Sequence, residues 1–394
     1  MKFQLHAKEF KNAIERAMTV LDKKSSLPVL NNIKIVSGDG VIIITATNLE
    51  TFVNVVVEAK IIEPGEVYID KANLVKVYNL SDFITIESND KVFNVKNQKK
   101  CCEVLVSNIE AKEYPIIPVI DENVNCLFET SEKDLISTFI AMNCFRGSNS
   151  DNTHKRVLAG FNINGAKQRI AAMDGFRLAV KEIEGKFYNN DFNITIIGDE
   201  CLNLKKIGNT KREDNISVYY GKPSNCSVYF AFFKGVDFTY CCRVYEEDYF
   251  DVSRVLEENG TYSFELNPNE LENIAKEYSK EKDAPMYIIK NEDSLYTTII
   301  SSAYQTADKL ESIKNLNINE DFCFCANSLF MRDAMGLFSN DEVVAYGNYK
   351  VSNTGSIISA IFFKNDEYTA LILPVKAEKE TIEQRKEFIR KIKK

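Results

Sequence analysis

The sequence predicts an α+β protein made of three tandem copies of one domain, and three observations carry that reading. The chain has 394 residues and is 45% hydrophobic, too long for one core, because single cores stop growing near roughly 250–300 residues. The same string of residue types opens three times, in MKFQLHAKEFKNAIERA, CLFETSEKDLISTFIAM and YSFELNPNELENIAKEY. In each copy an apolar strand residue precedes an apolar helix residue by seven: Phe3 and Phe10, Phe128 and Leu135, Phe264 and Leu271.

Each copy reads as a short strand, a polar cap and an amphipathic helix. In the first helix Phe10, Ala13, Ile14, Ala17, Met18 and Leu21 recur at helical spacing, which buries one face and leaves Lys8, Lys11 and Arg16 largely off it. Ser131 and Asn267 stand where N-caps belong, since their side-chain oxygens can accept a free first-turn N–H. Alternating strands follow each helix, with Asp39-Gly40 and Asn164-Gly165 predicted as hairpin turns. A second strand and helix then recur in GEVYIDKANLVKVYNL, NITIIGDECLNLKKIG and EDFCFCANSLFMRDAMGLF. The repeat is about 125 to 135 residues long, the size of a domain and not of a solenoid unit. The predicted divisions are 1–120, 121–257 and 258–376, with breaks near EYPIIPVIDEN and VLEENGT. Residues 377–394 form a charged C-terminal extension.

Composition excludes several classes of function. No apolar run approaches the ~20 residues that span a bilayer, and MKFQLHAKEFKNAIERA has no signal-peptide core, so a cytoplasmic protein with no membrane partner is expected. The ten cysteines contain no C-x-x-C and read as core thiols, with no metal site and no cofactor. His6 and His154 are the only histidines, so a serine triad could rest only on one of them. GxxxxGK[ST], GxGxxG and HExxH are absent. The net charge of −8 argues against a general nucleic-acid coat, although it leaves local basic clusters open.

The stretch AAMDGFRLAV, residues 171–180, places Asp174 and Arg177 in apolar surroundings. One carboxylate without a second acid, nucleophile or histidine in the motif is poor material for hydrolysis, and no catalytic residue is assigned. A structural reading makes Asp174-Gly175 a turn with Leu178 and Val180 in the core.

LPVLNNI, ATNLET, EYPIIP, MDGFRLA, DVSRVL and LILPVK occur in this order, and together they resemble the bacterial sliding clamp, the beta subunit of DNA polymerase III. The resemblance covers residues 1 to about 376. It implies three DNA-clamp domains per chain, each with two helices on antiparallel sheets, and two chains joined head to tail as a homodimeric ring. Such a ring encircles and slides on double-stranded DNA without reading sequence, through phosphate contacts that weaken with salt. It is a non-catalytic processivity subunit within a nucleotidyltransferase complex. By the same resemblance Lys24, Asn152, Lys155 and Arg156 face DNA, Lys8, Lys11 and Arg16 add positive field if their helix lines the hole, and Gly198-Asp199-Glu200 replaces a usually basic loop.

The resemblance also implies a groove in which short peptides of the replicative polymerase, clamp loader and repair proteins insert apolar anchors. Its residues here would be Leu158, Met173, Gly175, Phe176, Arg177 and Leu178, then Phe250, Arg254 and Val255, then Asn327, Phe330, Leu371, Leu373, Pro374 and Val375. Each buried anchor would contribute ~1.5–3 kcal/mol. Phe250 stands where clamps generally have proline, and LILPVK replaces a methionine-rich ending, which implies a narrower range of peptides. The implied dimer interface sets Val104 and Val106 against Tyr278 and Lys280, apolar against polar, and so a looser, salt-sensitive ring. A monomeric clamp-like peptide-binding adaptor is the alternative. For the extension two readings stand: a frayed charged tail, or a helix docked near the groove through Ile382, Ile389 and Ile392.

Overall fold

The structure is a computed structural model that describes residues 1–394 other than 24, 149–155, 212, 257–259, 282–283, 302–303, 339–340, 353–354, 359, 377–378 and 393–394. The chain forms two compact units: Met1–Ile140 with Asn164–Ala166 and Glu184–Glu246, and Ala141–Ile163 with Lys167–Ile183 and Glu247–Lys394. The recurring opening appears as strand then helix at Lys2–His6 and Ala7–Met18, Val124–Ser131 and Glu132–Met142, and Tyr262–Leu266 and Pro268–Tyr278. All six residues of the seven-residue pairs are buried, because strand and helix present them to the same core. Asn267 caps its helix by accepting the Asn269 N–H at 2.9 Å, and Ser131 accepts that of Asp134 at 3.3 Å.

In the first unit, Gly65–Asp70, Asn32–Gly38, Val41–Thr47 and Thr51–Glu58 form an antiparallel ladder. Thr51–Val55 then pairs with Phe238–Cys242, which carries the sheet into Phe230–Lys234, Asn215–Gly221 and Val124–Ser131. Asp39-Gly40 makes the expected two-residue hairpin, with φ of 50° and 80° between the register partners Gly38 and Val41. The hairpin expected at Asn164-Gly165 is instead a four-residue turn over 165–168. Asn164 stays in its strand, and Gly165 is held where a Cβ would strike the Phe192 ring at 2.3 Å. The EYPIIP connector is packed: the Tyr114 hydroxyl donates to the Asn32 and Thr45 carbonyls, and Ile117 and Ile120 pack against a cluster containing Phe52 and Phe230.

Arg16 corrects the sequence reading. It is buried, with Nη1 and Nη2 donating to the Asp237 carboxylate at 3.0 and 2.7 Å and Nε to the Ile207 carbonyl at 2.6 Å. Its guanidinium lies 5.5 Å from the Phe238 ring centroid. Helical periodicity put it off the apolar face, yet a second element covers that flank, so Arg16 is committed to the fold and adds no field to a surface. Lys8 is exposed, and half-buried Lys11 donates to Asn79 Oδ1 at 2.9 Å.

In the second unit one ladder runs through Arg169–Met173, Arg177–Glu182, Tyr368–Ile372, Ile361–Lys364, Val343–Gly347 and Tyr262–Leu266. Another joins Gln305–Lys309, Ser294–Ile300, Met286–Asn291 and Cys323–Ala326. Tyr278 is also corrected: it is fully buried, its hydroxyl donating to Asp308 at 2.6 Å, so this side chain is core and offers nothing to a second chain. Lys280 is exposed. In the first unit Val104 and Val106 are half-buried while Leu105 between them is 69% exposed. The extension is a helix, Lys379–Ile392, and not a frayed tail: Ile389 is buried and Ile382 partly buried among Tyr287, Ile289, Tyr296 and Cys325. The side chain of Ile392 lies outside the described residues.

Removing one partner of a buried ion pair costs about 3–5 kcal/mol. Asp237 keeps 36% of its side chain in water, so Arg16→Ala should cost about 2 kcal/mol, read by circular dichroism as a lower urea midpoint. An unchanged midpoint would show the contact to be idle.

Candidate partner-binding groove

Strand pairing builds the floor of the site from five residues in one row. Met173 is opposite Leu178, Leu178 opposite Leu371, Leu371 opposite Phe362 and Phe362 opposite Tyr346. Directly opposed residues share a face, and these five fall in one apolar cluster with Leu158, Val252 and Val255. Tyr346 and Phe362 stack at 5.1 Å.

Residues 174–177 turn the chain between the first two strands of that row. The Asp174 Oδ1 accepts the N–H groups of Phe176 and Arg177 at 2.9 and 3.0 Å. Gly175 has φ +93°, a conformation that penalises a Cβ. The turn leaves Phe176 62% exposed, stacked on Phe330 at 6.3 Å. The Phe176 carbonyl accepts the Leu373 N–H at 2.9 Å, and Val375 donates to the Cys325 carbonyl at 2.8 Å, so both sides of the apolar rim are pinned by backbone. Leu373 and Val375 are exposed and Pro374 is half-buried.

Arg177 was expected in the groove wall and does not line it. It is buried, and strand alternation puts it on the face opposite Leu178. Its Nε donates to Asp174 at 2.9 Å, its Nη1 to Asp333 at 2.6 Å and its Nη2 to the Cys144 carbonyl. The guanidinium also lies 4.3 Å from the Phe330 centroid and 5.4 Å from that of Phe145. With Asp174 occupied by this cation and two backbone amides, the acid and base of the decapeptide form a structural clamp. The charge is buried with two carboxylates, and each of its three nitrogens donates a hydrogen bond, the condition under which a buried ion pair is tolerated.

The other expected residues fall at the margins. Asn327 caps the Ser328–Met335 helix, accepting the Leu329 N–H at 2.8 Å. Phe250 is exposed, next to the buried Tyr249. Arg254 is exposed and 3.6 Å from Asp251, whose carboxyl is held low chiefly by the Ser253 backbone N–H. Sequence reasoning missed Asp333, Cys144 and Phe145, and no local signal pointed to them: they come from separate segments and meet only around Arg177. Burial pushes the Cys144 thiol up to about 11, which disfavours the thiolate. Of the expected DNA-facing residues, Arg156 is exposed in the turn Arg156–Ala159, while Lys24, Asn152 and Lys155 lie outside the described residues. A separate cavity in this unit, lined by Asp341, Glu342, Lys364, Asp366, Glu367 and the floor residue Tyr346 among others, includes none of the rim residues.

Residues 1–118 match the family model described as DNA polymerase III beta subunit, N-terminal domain. The chain is 22% identical to the beta sliding clamp of Staphylococcus epidermidis strain RP62A, over 95% of this chain and 99% of that protein. Its fold is similar to the beta subunit from DNA polymerase of Streptococcus pyogenes, with a TM-score of 0.81 at 15% identity over 96% of this chain and 100% of the other. It is also similar to a Pseudomonas aeruginosa sliding clamp bound to griselimycin, with a TM-score of 0.79 at 16% identity and the same coverage.

The groove and its support should separate under mutation. Arg177→Ala leaves Asp174 buried without its cation and Asp333 with Arg332 alone, 2.7 Å away, and should cost about 3 kcal/mol of stability. Phe176→Ala, at an exposed position, should stay within about 0.5 kcal/mol. Thermal unfolding of the two variants side by side checks the contrast; equal losses would contradict this division of roles.

Proposed function

We infer from these agreeing matches that the chain is a bacterial beta sliding clamp, the processivity subunit of DNA polymerase III, which catalyses nothing itself. A processivity factor works by topology: a closed circle prevents escape while weak, sequence-blind phosphate contacts permit sliding. The reading takes the three repeats, residues 1–120, 121–257 and 258–376, as clamp domains, and two chains as a head-to-tail ring in the cytoplasm. No helix among the described residues is long and apolar enough to cross a membrane.

The groove is taken as the site where polymerase, clamp loader and repair proteins dock. The observation that supports it is the exposed apolar rim of Phe176, Leu373 and Val375 on a rigid base, since rigid apolar anchor sites are where a peptide gains most of its binding energy. Two anchors contributing ~1.5–3 kcal/mol each, with a few backbone hydrogen bonds, give the weak exchangeable binding that suits a shared tether. Ring closure would bring the edge strand Cys101–Leu105, with its exposed Leu105, against the third domain near Lys280. A polar partner there implies a salt-sensitive interface. Arg156, with Lys24, Asn152 and Lys155, would face the duplex.

Sedimentation across protein and salt concentration tests closure. A dimer near twice 44.9 kDa that tightens at low salt is expected, together with retention on nicked circular DNA and loss once that DNA is linearised. A persistent monomer that no circular DNA retains would overturn the ring and leave a peptide-binding adaptor.

A further inference from the structure

The C-terminal helix Lys379–Ile392 begins four residues after Val375, the last residue of the rim. All six residues of the strand Met286–Asn291 are buried, although only one face of a strand can meet the core beneath it. The second face is covered by the helix. Tyr287 and Ile289 on that face join Tyr296, Cys325 and Ile389 in one cluster, with Ile382 at its edge. Arg385 is also buried, its guanidinium 3.8 Å from the Tyr287 centroid and its Nη1 donating to Thr298 Oγ1 at 3.2 Å. Burial holds the Tyr287 hydroxyl at about 12 and the thiols of Cys323 and Cys325 at about 12 and 11.

Cys325 connects this cluster to the groove. Its side chain lies under the helix and its carbonyl accepts the Val375 N–H. The segment Leu373–Val375 is therefore fixed at one end to Phe176 and at the other to a strand that the helix clamps. We propose that the C-terminal helix is a strut that holds the Leu373–Val375 wall of the groove in its binding position, with Ile389 and Arg385 as positioning residues that act on partner affinity without touching the partner. The inference rests on the groove reading given above. Its physical basis is pre-organisation: a wall ordered before the peptide arrives need not be ordered by it, and affinity rises without any new contact. An ordered wall chiefly slows dissociation, since related complexes differ mostly in off-rate.

The test uses a fluorescein-labelled peptide with leucine and phenylalanine anchors, read by anisotropy and stopped flow. Against the full chain, a chain ending at Lys376 should bind about tenfold more weakly and Ile389→Ala about threefold, mainly through faster dissociation, while Ile389→Val restores affinity. Ile389→Ala retains the helix and most of the cluster, which keeps the test usable if the truncated chain does not fold. In that variant the Val375 amide should exchange with deuterium faster, and iodoacetamide at pH 8 should reach Cys325, which the intact protein protects. Faster exchange at Val375 with unchanged peptide affinity would overturn the strut, and so would unchanged exchange. Phe176→Ala in the full chain is the separate control: if it leaves affinity untouched, the groove assignment itself fails, whereas loss of binding there combined with indifference to the helix variants condemns the strut alone.

Discussion

Antiparallel pairing between strands of different repeats is the constraint on which the rest of this structure depends. In the first unit Thr51–Val55 pairs with Phe238–Cys242, and in the second Arg177–Lys181 pairs with Tyr368–Ile372. Each ladder makes two repeats share one sheet, so the compact units divide the second repeat between them. The site follows from the second ladder. A slip of one residue by the Arg177–Lys181 segment would turn Leu178 away from the face of Leu371 and bring Arg177 to the front, which would destroy the apolar row and the ion-paired base together.

The charged cluster at that base holds the register in place. Three segments supply its members, the Asp174 turn, the Cys144 carbonyl and the Asp333 helix, and Arg177 can satisfy all three in only one register. Buried ion pairs are weak sources of net stability, yet they penalise every arrangement that leaves one charge alone. Here the penalty falls on misregistered strands, which an apolar core would accept more readily. The exposed Phe176 is placed by the same turn, so the most exposed apolar side chain of the rim is positioned by a buried charge cluster.

Much of this was legible in the sequence because it is local. The strand-cap-helix opening, the Asn267 cap and the Asp39-Gly40 hairpin depend on residues within a few positions of each other, and periodicity and turn chemistry report on such neighbours. The order of six motifs carried the resemblance to a family and the expected set of groove residues. What escaped depends on elements distant in the chain. Arg16 and Tyr278 look solvated on their helices and are buried by strands and turns that no window around them contains. Arg177 was placed in the wall by the family resemblance, together with Phe176 and Leu178, while Asp333, 156 residues away, draws it beneath. The strand Met286–Asn291 was read only as one of the alternating strands after the third helix, and nothing within MYIIKN says that the chain's own C-terminal helix covers its second face.

The ladder between Thr51–Val55 and Phe238–Cys242 also sets a timetable for synthesis. The partner of Thr51 is Cys242, 191 residues later by the difference of the two numbers. At about 5–20 residues per second, a ribosome takes roughly ten to forty seconds to deliver it. Throughout that interval the first repeat has a strand of eight residues, TFVNVVVE, with one edge unpaired and rich in valine, the kind of edge that recruits other chains. A nascent chain of this protein is therefore more prone to aggregate than the finished one, and chaperone demand should fall within the span of translation between the first repeat and the end of the second.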